Sequence, residues 1–135
     1  MTVSIDKFKN IPDELKVQLK VQGFLNSDQL LEATRTPAGR KSVAKKLGVD
    51  SNTILGVANR ADLARVRGVG GVFSDLLEHA GVDTVKELAI RRPENLYAKL
   101  VEINSEKNLA GRAPTQNAVE DWVAQAKDLP RKLEY

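Results

Sequence analysis

The sequence predicts an all-α protein, a compact array of about eight to ten short helices in a single domain over residues 1–135. Apolar residues recur three and four positions apart, as in Leu15 and Leu19 or Leu96 and Leu100, which is the spacing of one helix face. Alternation of β-branched residues over strand lengths is absent. Glycine or proline separates periodic segments of mostly two to three turns. Because isolated helices of that length are marginal in water, we expect tertiary packing to hold them.

The first element is a helical unit over residues 1–58, part of which recurs later in the chain. The stretch IPDELKVQLKVQGFLNSDQLLEA (11–33) aligns with VGGVFSDLLEHAGVDTVKELAIR (69–91). The alignment pairs Gly23 with Gly81, and each glycine stands where the end of a helix requires a positive φ angle.

Capping residues predict the start of the next two helices in both units. A polar residue followed three positions later by Glu or Gln forms a capping box, which opens the second helix. These pairs are Asn26 with Gln29 and Thr84 with Glu87. A proline, Pro37 or Pro93, then stands near the start of the third helix.

The second unit covers residues 59–104 and keeps a glycine-rich stretch, VRGVGG, ahead of a helix expected over residues 72–80. In the first unit the aligned residues are Ile11-Pro12-Asp13-Glu14. A proline without an N–H group and two acidic residues exclude phosphate binding by that first hairpin. The second hairpin is therefore the only intact one of the pair.

The last part of the chain, residues 105–135, is expected to form a loop and a C-terminal helix. The loop is predicted over Ser105–Pro114, and the helix from about Thr115, with Trp122 as a core anchor. Pro130 stops that helix, and the final residues, RKLEY, are expected to be frayed.

Composition excludes several kinds of site. The chain has no cysteine, which excludes disulfides, thiolate zinc sites and cysteine nucleophiles. Its one histidine, His79, is expected at the surface and cannot build a His-rich metal site. No apolar run approaches the ~18 residues of a membrane span, and the N-terminus lacks the apolar region of a signal peptide. We therefore expect a cytoplasmic protein that is not an enzyme and that uses no cofactor or metal.

The charge balance permits contact with nucleic acid without demanding it. The formal net charge is +3 and the pI about 9.2, which is mildly basic. Only six aromatic residues are present, so a stacking platform for single-stranded bases is not expected.

The glycine-rich stretch admits two interpretations. Consecutive glycines before a helix can turn backbone N–H groups toward a phosphate, beside the positive end of the helix dipole. The candidate residues are Gly68, Gly70 and Gly71 for the N–H groups and Arg65, Arg67 and Lys86 for the charge. The alternative is a tight turn whose small residues allow close packing of helices. Val72 and Phe73 are poor phosphate neighbours, and Asp75 and Glu78 would repel phosphate if they faced the loop.

A second pattern, SVAKKLGVDSNTILGV (42–57), has the spacing of a helix-turn-helix. Ala44, Gly48, Val49 and Ile54 occupy its expected core and turn positions. Arg40, Lys45 and Lys46 would then flank a DNA backbone, and Ser51, Asn52 and Thr53 would open a recognition helix. Packing within the first unit explains the same pattern without DNA.

The stretch LARVRGVGGVFSDLLEHAGVDTVKELA resembles a helix-hairpin-helix motif, and the chain as a whole is similar to an uncharacterised bacterial family, a domain of unknown function with SAM-like helix-hairpin-helix motifs. The similarity to this family rests on three features: the segment RADL, the segment RRPENLYAKL and the Trp-bearing helix. The resemblance implies two helix-hairpin-helix-like units plus a C-terminal helix. In that superfamily the Gly-x-Gly hairpin commonly binds DNA phosphates without sequence preference, whereas the family itself implies no activity.

Two functions follow from these observations, and a small-ligand role in a cleft between the units is a distant third. We expect a protein-interaction or structural adaptor, because one hairpin is damaged and the net charge is modest. The alternative is weak, sequence-independent nucleic-acid binding through the second hairpin. The partner is therefore expected to be a protein or a nucleic-acid backbone. We do not expect the protein to bind a membrane.

Overall fold

A computed structural model describes residues 2–135, and in this range it confirms the all-α prediction. A short 3-10 helix (Ile5–Lys7) precedes eight α-helices. They are α1 (Asp13–Val21), α2 (Ser27–Thr34), α3 (Pro37–Leu47), α4 (Ser51–Leu63), α5 (Gly70–His79), α6 (Val85–Ala89), α7 (Pro93–Lys107) and α8 (Gln116–Asp128). None of these helices is both long and apolar enough to span a bilayer.

Local sequence sets most of the helix boundaries, as expected. The side chains of Asn26 and Thr84 accept hydrogen bonds from the N–H groups three residues ahead, at 3.0 and 3.2 Å, so both predicted N-caps are confirmed. Pro37 and Pro93 occupy the first turns of α3 and α7. Thr115 caps α8 in the same way.

The core is divided between the two halves of the chain. One buried cluster draws on the 3-10 helix and α1–α4, and a second draws on the end of α4 and α5–α8. In the first half α4 packs on α2 and α3, and in the second half α8 packs on α6 and α7. The C-terminal helix is therefore the fourth helix of the second unit, as α4 is of the first. The expected unit boundary at residues 58 and 59 falls inside α4.

Two predictions for the last part of the chain are wrong. The segment Ser105–Lys107, expected in a loop, is the last turn of α7, and Asn108 ends that helix in the left-handed region with φ +52°. The C-terminal segment is packed on the protein instead of frayed. Leu133 is 2% exposed within the first core cluster, and the Glu134 N–H donates to the carbonyl of Arg35 at 2.9 Å. Burial of one apolar side chain explains why this segment is held.

Candidate functional site

The candidate site is the glycine hairpin at residues 66–71, between the end of α4 and the start of α5. Gly68 and Gly70 have φ angles of +93° and +60°, which L-residues with a side chain rarely adopt. Val69, which lies between them, is 1% exposed. Helix α5 begins at Gly70, two residues earlier than expected, and no side chain caps it. The turn is thus made by a buried valine between two glycines in left-handed conformations.

Gly71 lies directly against the 3-10 helix of the first unit. A Cβ atom at this position would lie 2.1 Å from the carbonyl oxygen of Lys7 and 3.0 Å from the backbone nitrogen of Phe8. Backbone atoms cannot rotate out of the way, so this approach requires the absence of a side chain. Gly71 therefore serves as a contact between the two units.

Helix α8 holds the other side of the hairpin. The side-chain amide of Gln125 accepts a hydrogen bond from the Arg67 N–H at 2.8 Å and donates one to the Arg67 carbonyl at 3.0 Å. The indole nitrogen of Trp122 lies 3.1 Å from the point that a Cβ on Gly68 would occupy. Trp122 is buried, as expected of a core anchor, and its ring packs on Phe73 with 5.3 Å between centroids.

The acidic side chains of α5 contact the first unit, both in the segment after the 3-10 helix and in α4. The buried carboxylate of Asp75 accepts hydrogen bonds from the N–H groups of Lys9 and Asn10, at 3.1 and 3.2 Å, and from Arg60 Nε at 3.1 Å. Glu78 Oε2 lies 2.6 Å from Nη2 of the same arginine. Burial raises the pKa of Glu78 above its ordinary value of 4.5, and Arg60 opposes that rise. Asp75 and Glu78 thus bind protein groups.

The three basic residues expected at the site lie in different places. Arg65 has a 9% exposed side chain, pairs with Asp62 at 2.9 Å and donates to the carbonyl of Pro130. Lys86 is exposed on α6 and lines a separate cavity. The side chain of Arg67 is exposed beside the hairpin. The structure therefore brings Arg67 together with the three glycines, and it places Arg65 and Lys86 elsewhere.

Two other basic residues lie beside the hairpin, and sequence reasoning missed both. Lys7 shares a shallow recess with Gly68–Phe73, and Arg112 shares another with Arg67 and Trp122. All three cations are exposed, and none is within 4 Å of a carboxylate among the described residues. No local signal identifies Lys7 or Arg112, because the tertiary packing of the 3-10 helix and of the loop before α8 brings them here.

Gly70 is half-buried, but the space that a side chain would occupy at this position is open. Within residues 2–135, nothing lies inside 4 Å of the point that its Cβ would take, apart from its chain neighbours and the backbone of its own helix. The recess beside it has a volume of about 440 Å³ and includes Thr2 and Lys7. An anion at this position would meet the uncapped, partially positive N-terminus of α5.

The helix-turn-helix pattern forms a helix–turn–helix corner inside the first unit. Gly48 ends α3 with φ +67°, and Asp50 caps α4. The exposed polar residues near this turn include Lys45, Lys46, Asp50, Asn52 and Thr53. Arg40 is buried and donates to the carbonyls of Thr34 and Glu134, at 2.9 and 2.6 Å. Arg40 therefore supports the C-terminal segment instead of flanking the turn.

Among residues 2–135, no group of three or more His, Cys, Asp or Glu side chains is placed to hold a metal ion.

Comparison with known proteins identifies a family for this chain. The family model described as "Domain of unknown function (DUF4332)" matches residues 9–129, so the chain belongs to that family. No curated protein and no solved structure matches the sequence significantly.

Proposed function

We propose that this member of the domain-of-unknown-function family is a non-enzymatic adaptor of the bacterial cytoplasm. It acts either by binding another protein or as a structural component of an assembly. In this proposal the two units are helix-hairpin-helix motifs, and the second hairpin is an internal joint.

The observation that carries the proposal is the internal use of the hairpin. Gly71 is covered by the Lys7 carbonyl, and both backbone hydrogen-bonding groups of Arg67 are taken by Gln125. A hairpin that grips phosphate needs these small residues and N–H groups at an open surface. Here Gly71 holds the hairpin to the first unit and Arg67 holds it to α8 of the second unit, which favours an architectural role.

An exposed apolar row on α1 offers a face for a protein partner. Leu15 and Leu19 point into the core, whereas Val17 and Val21 are 60% and 77% exposed. The two valines are four residues apart, so they lie on the same face of the helix. In this proposal the two valines are the apolar contacts that a helix or groove of the partner protein would cover.

The adaptor proposal is tested by capture of partners from a lysate of the source organism. Immobilised wild-type protein is compared with a Val17→Asp/Val21→Asp variant and with a control, Val101→Asp, which changes an exposed valine on α7. We expect at least one protein of the lysate to be retained by the wild type and by the control, but not by the double variant. Equal retention by all three proteins would contradict the role of α1.

A second function, weak and sequence-independent nucleic-acid binding, is favoured by the open Gly70. In this alternative, the exposed side chains of Lys7, Arg67 and Arg112 supply the charge near the uncapped start of α5. Phosphate contacts of this kind position a nucleic acid without reading its sequence.

The two functions are separated by titration of a fluorescent DNA duplex at about 50 mM and about 200 mM salt, because phosphate contacts weaken steeply with salt. The adaptor proposal expects no saturable binding at the lower salt. Saturable binding that a Lys7→Glu/Arg67→Glu/Arg112→Glu variant abolishes would support the alternative. A variant with the same charge change on exposed lysines of other faces, Lys41→Glu/Lys99→Glu/Lys127→Glu, is the control.

A further inference from the structure

A small cavity lies beneath the C-terminal segment, away from the glycine hairpin. Its walls come from the end of α4, from α6, from the end of α8 and from residues 131–135. Its volume is about 200 Å³. None of the contacts that hold the hairpin uses it, so it is a separate feature of the molecule.

The interior of this cavity is mainly apolar. Val85 and Leu133 are buried side chains of its wall, and Ala89 and Leu129 are half-buried. A dry apolar cavity of about 150 Å³ holds one benzene molecule. The interior therefore matches an apolar group the size of a benzene ring or slightly larger.

The charges around the cavity are unbalanced. Asp62 is the one acidic residue of the wall, and its two oxygens accept from Val85 N–H and from Arg65, each at 2.9 Å. Its charge is thus already neutralised. Lys86 and Lys132 are exposed at the edge, and neither lies within 4 Å of a carboxylate in the described part of the chain. An anion near these two lysines would therefore be attracted without competition from an existing ion pair.

The wall formed by the C-terminal segment is fixed in place. Leu133 is buried, and the backbone of Glu134 is hydrogen-bonded to both Arg35 and Arg40. Arg65 donates to the carbonyl of Pro130 at the start of the segment. A preformed wall lowers the entropy cost of binding a small molecule.

We propose that this cavity binds a small amphipathic anion, with a ring-sized apolar group in the interior and a carboxylate or phosphate at Lys86 and Lys132. Both head groups satisfy the same two lysines, so the shared chemistry is a single anionic group joined directly to a compact apolar body.

The test is a titration of the full chain with benzoate and with phenyl phosphate, followed by the amide NMR signals of Val85, Ala89 and Leu133. We expect saturable shifts confined to the cavity with at least one of the two probes, and the tighter probe identifies the head group. Benzyl alcohol and inorganic phosphate are the controls, and each lacks one half of the proposed ligand. Equal binding of either control would contradict the proposal, as would the absence of saturable shifts with both probes up to about 10 mM.

A charge variant makes the test specific. Lys86→Glu/Lys132→Glu should weaken binding about tenfold or more, because each change replaces attraction by repulsion. Lys99→Glu/Lys107→Glu makes the same charge change at exposed sites on α7 that do not line the cavity and should leave the affinity within about twofold. All four lysines are exposed, so both proteins are expected to fold. Equal weakening by the two variants would overturn the proposal.

Discussion

The buried carboxylate of Asp75 accepts a hydrogen bond from the backbone N–H of Lys9 at 3.1 Å, and this bond joins the hairpin helix of the second unit to the first unit. The same carboxylate binds the Asn10 N–H and Arg60. It therefore satisfies two backbone donors and one partly buried cation at the boundary between the units, where an unpaired donor would be costly.

Replacement of Asp75 by asparagine is predicted to destabilise the protein. The amide keeps the shape of the carboxylate, but it loses the charge that Arg60 faces and one of the two acceptor oxygens. We expect a loss of about 2 kcal/mol in the free energy of unfolding, measured in urea. Asp83→Asn, at an exposed position, should change it by less than about 0.5 kcal/mol. Similar losses in both variants would count against a joint at Asp75.

The raised pKa of Glu78 predicts a pH dependence of stability. Burial is the main cause, and the folded carboxyl takes up a proton more readily than the unfolded one at pH values just above 4.5. Its contribution to the free energy of unfolding is therefore fully present below pH 4.5 and is lost as the pH rises through the raised pKa. The stability of the wild type relative to Glu78→Gln should decrease between pH 4.5 and pH 7 in urea unfolding. An increase over this range would contradict the expected direction of the shift.

The contact between Gln125 and Arg67 predicts that the backbone amide of Arg67 is protected from hydrogen exchange. Gln125→Ala removes both hydrogen bonds to the Arg67 backbone and should cost about 1 kcal/mol. We expect the Arg67 amide to exchange with solvent several-fold faster in native-state hydrogen exchange. Gln116→Ala changes an exposed glutamine of the same helix and serves as the control. An unchanged exchange rate of the Arg67 amide in Gln125→Ala would show that α8 does not hold the hairpin.

The burial of Leu133 predicts that the C-terminal segment contributes to the free energy of unfolding. Truncation of this buried side chain in Leu133→Ala should cost about 2–3 kcal/mol. Lys132→Ala, at the exposed neighbouring position, should have an effect below about 0.5 kcal/mol. Thermal or urea unfolding of the two variants measures the difference, and equal stabilities would mean that the segment is not packed as described.

Sequence reasoning succeeded where a structural feature depends on residues within one helical turn. The N-caps Asn26 and Thr84 are examples, because the capping side chain and the N–H that it binds are three residues apart. The start of the third helices at Pro37 and Pro93 follows from the same local chemistry.

The contacts of the hairpin could not be predicted in this way. A glycine permits the close approach of a phosphate or of another backbone equally well, so the sequence around Gly71 does not distinguish the two. Its partner, Lys7, comes from a distant part of the chain. Likewise, Arg65 and Arg67 are two residues apart, yet one pairs with Asp62 and the other faces solvent.

The packing of the C-terminal segment could not be predicted either, for a related reason. Leu133 is a single apolar residue between charged neighbours and shows no helical or strand period. Its burial depends on a site formed by the first unit, which no local pattern reveals.

The unfolding free energies of Gly71→Ala and Gly70→Ala test most directly whether the hairpin is an internal joint. A methyl group at position 71 would collide with the Lys7 carbonyl, so we expect a loss of at least about 2 kcal/mol. A methyl group at position 70 meets open space and carries only the cost of a positive φ angle, about 1 kcal/mol, as Gly48→Ala should also do. A loss in Gly71→Ala that is clearly larger than in both other variants is the predicted result. A loss no larger than that of Gly70→Ala would contradict the internal joint.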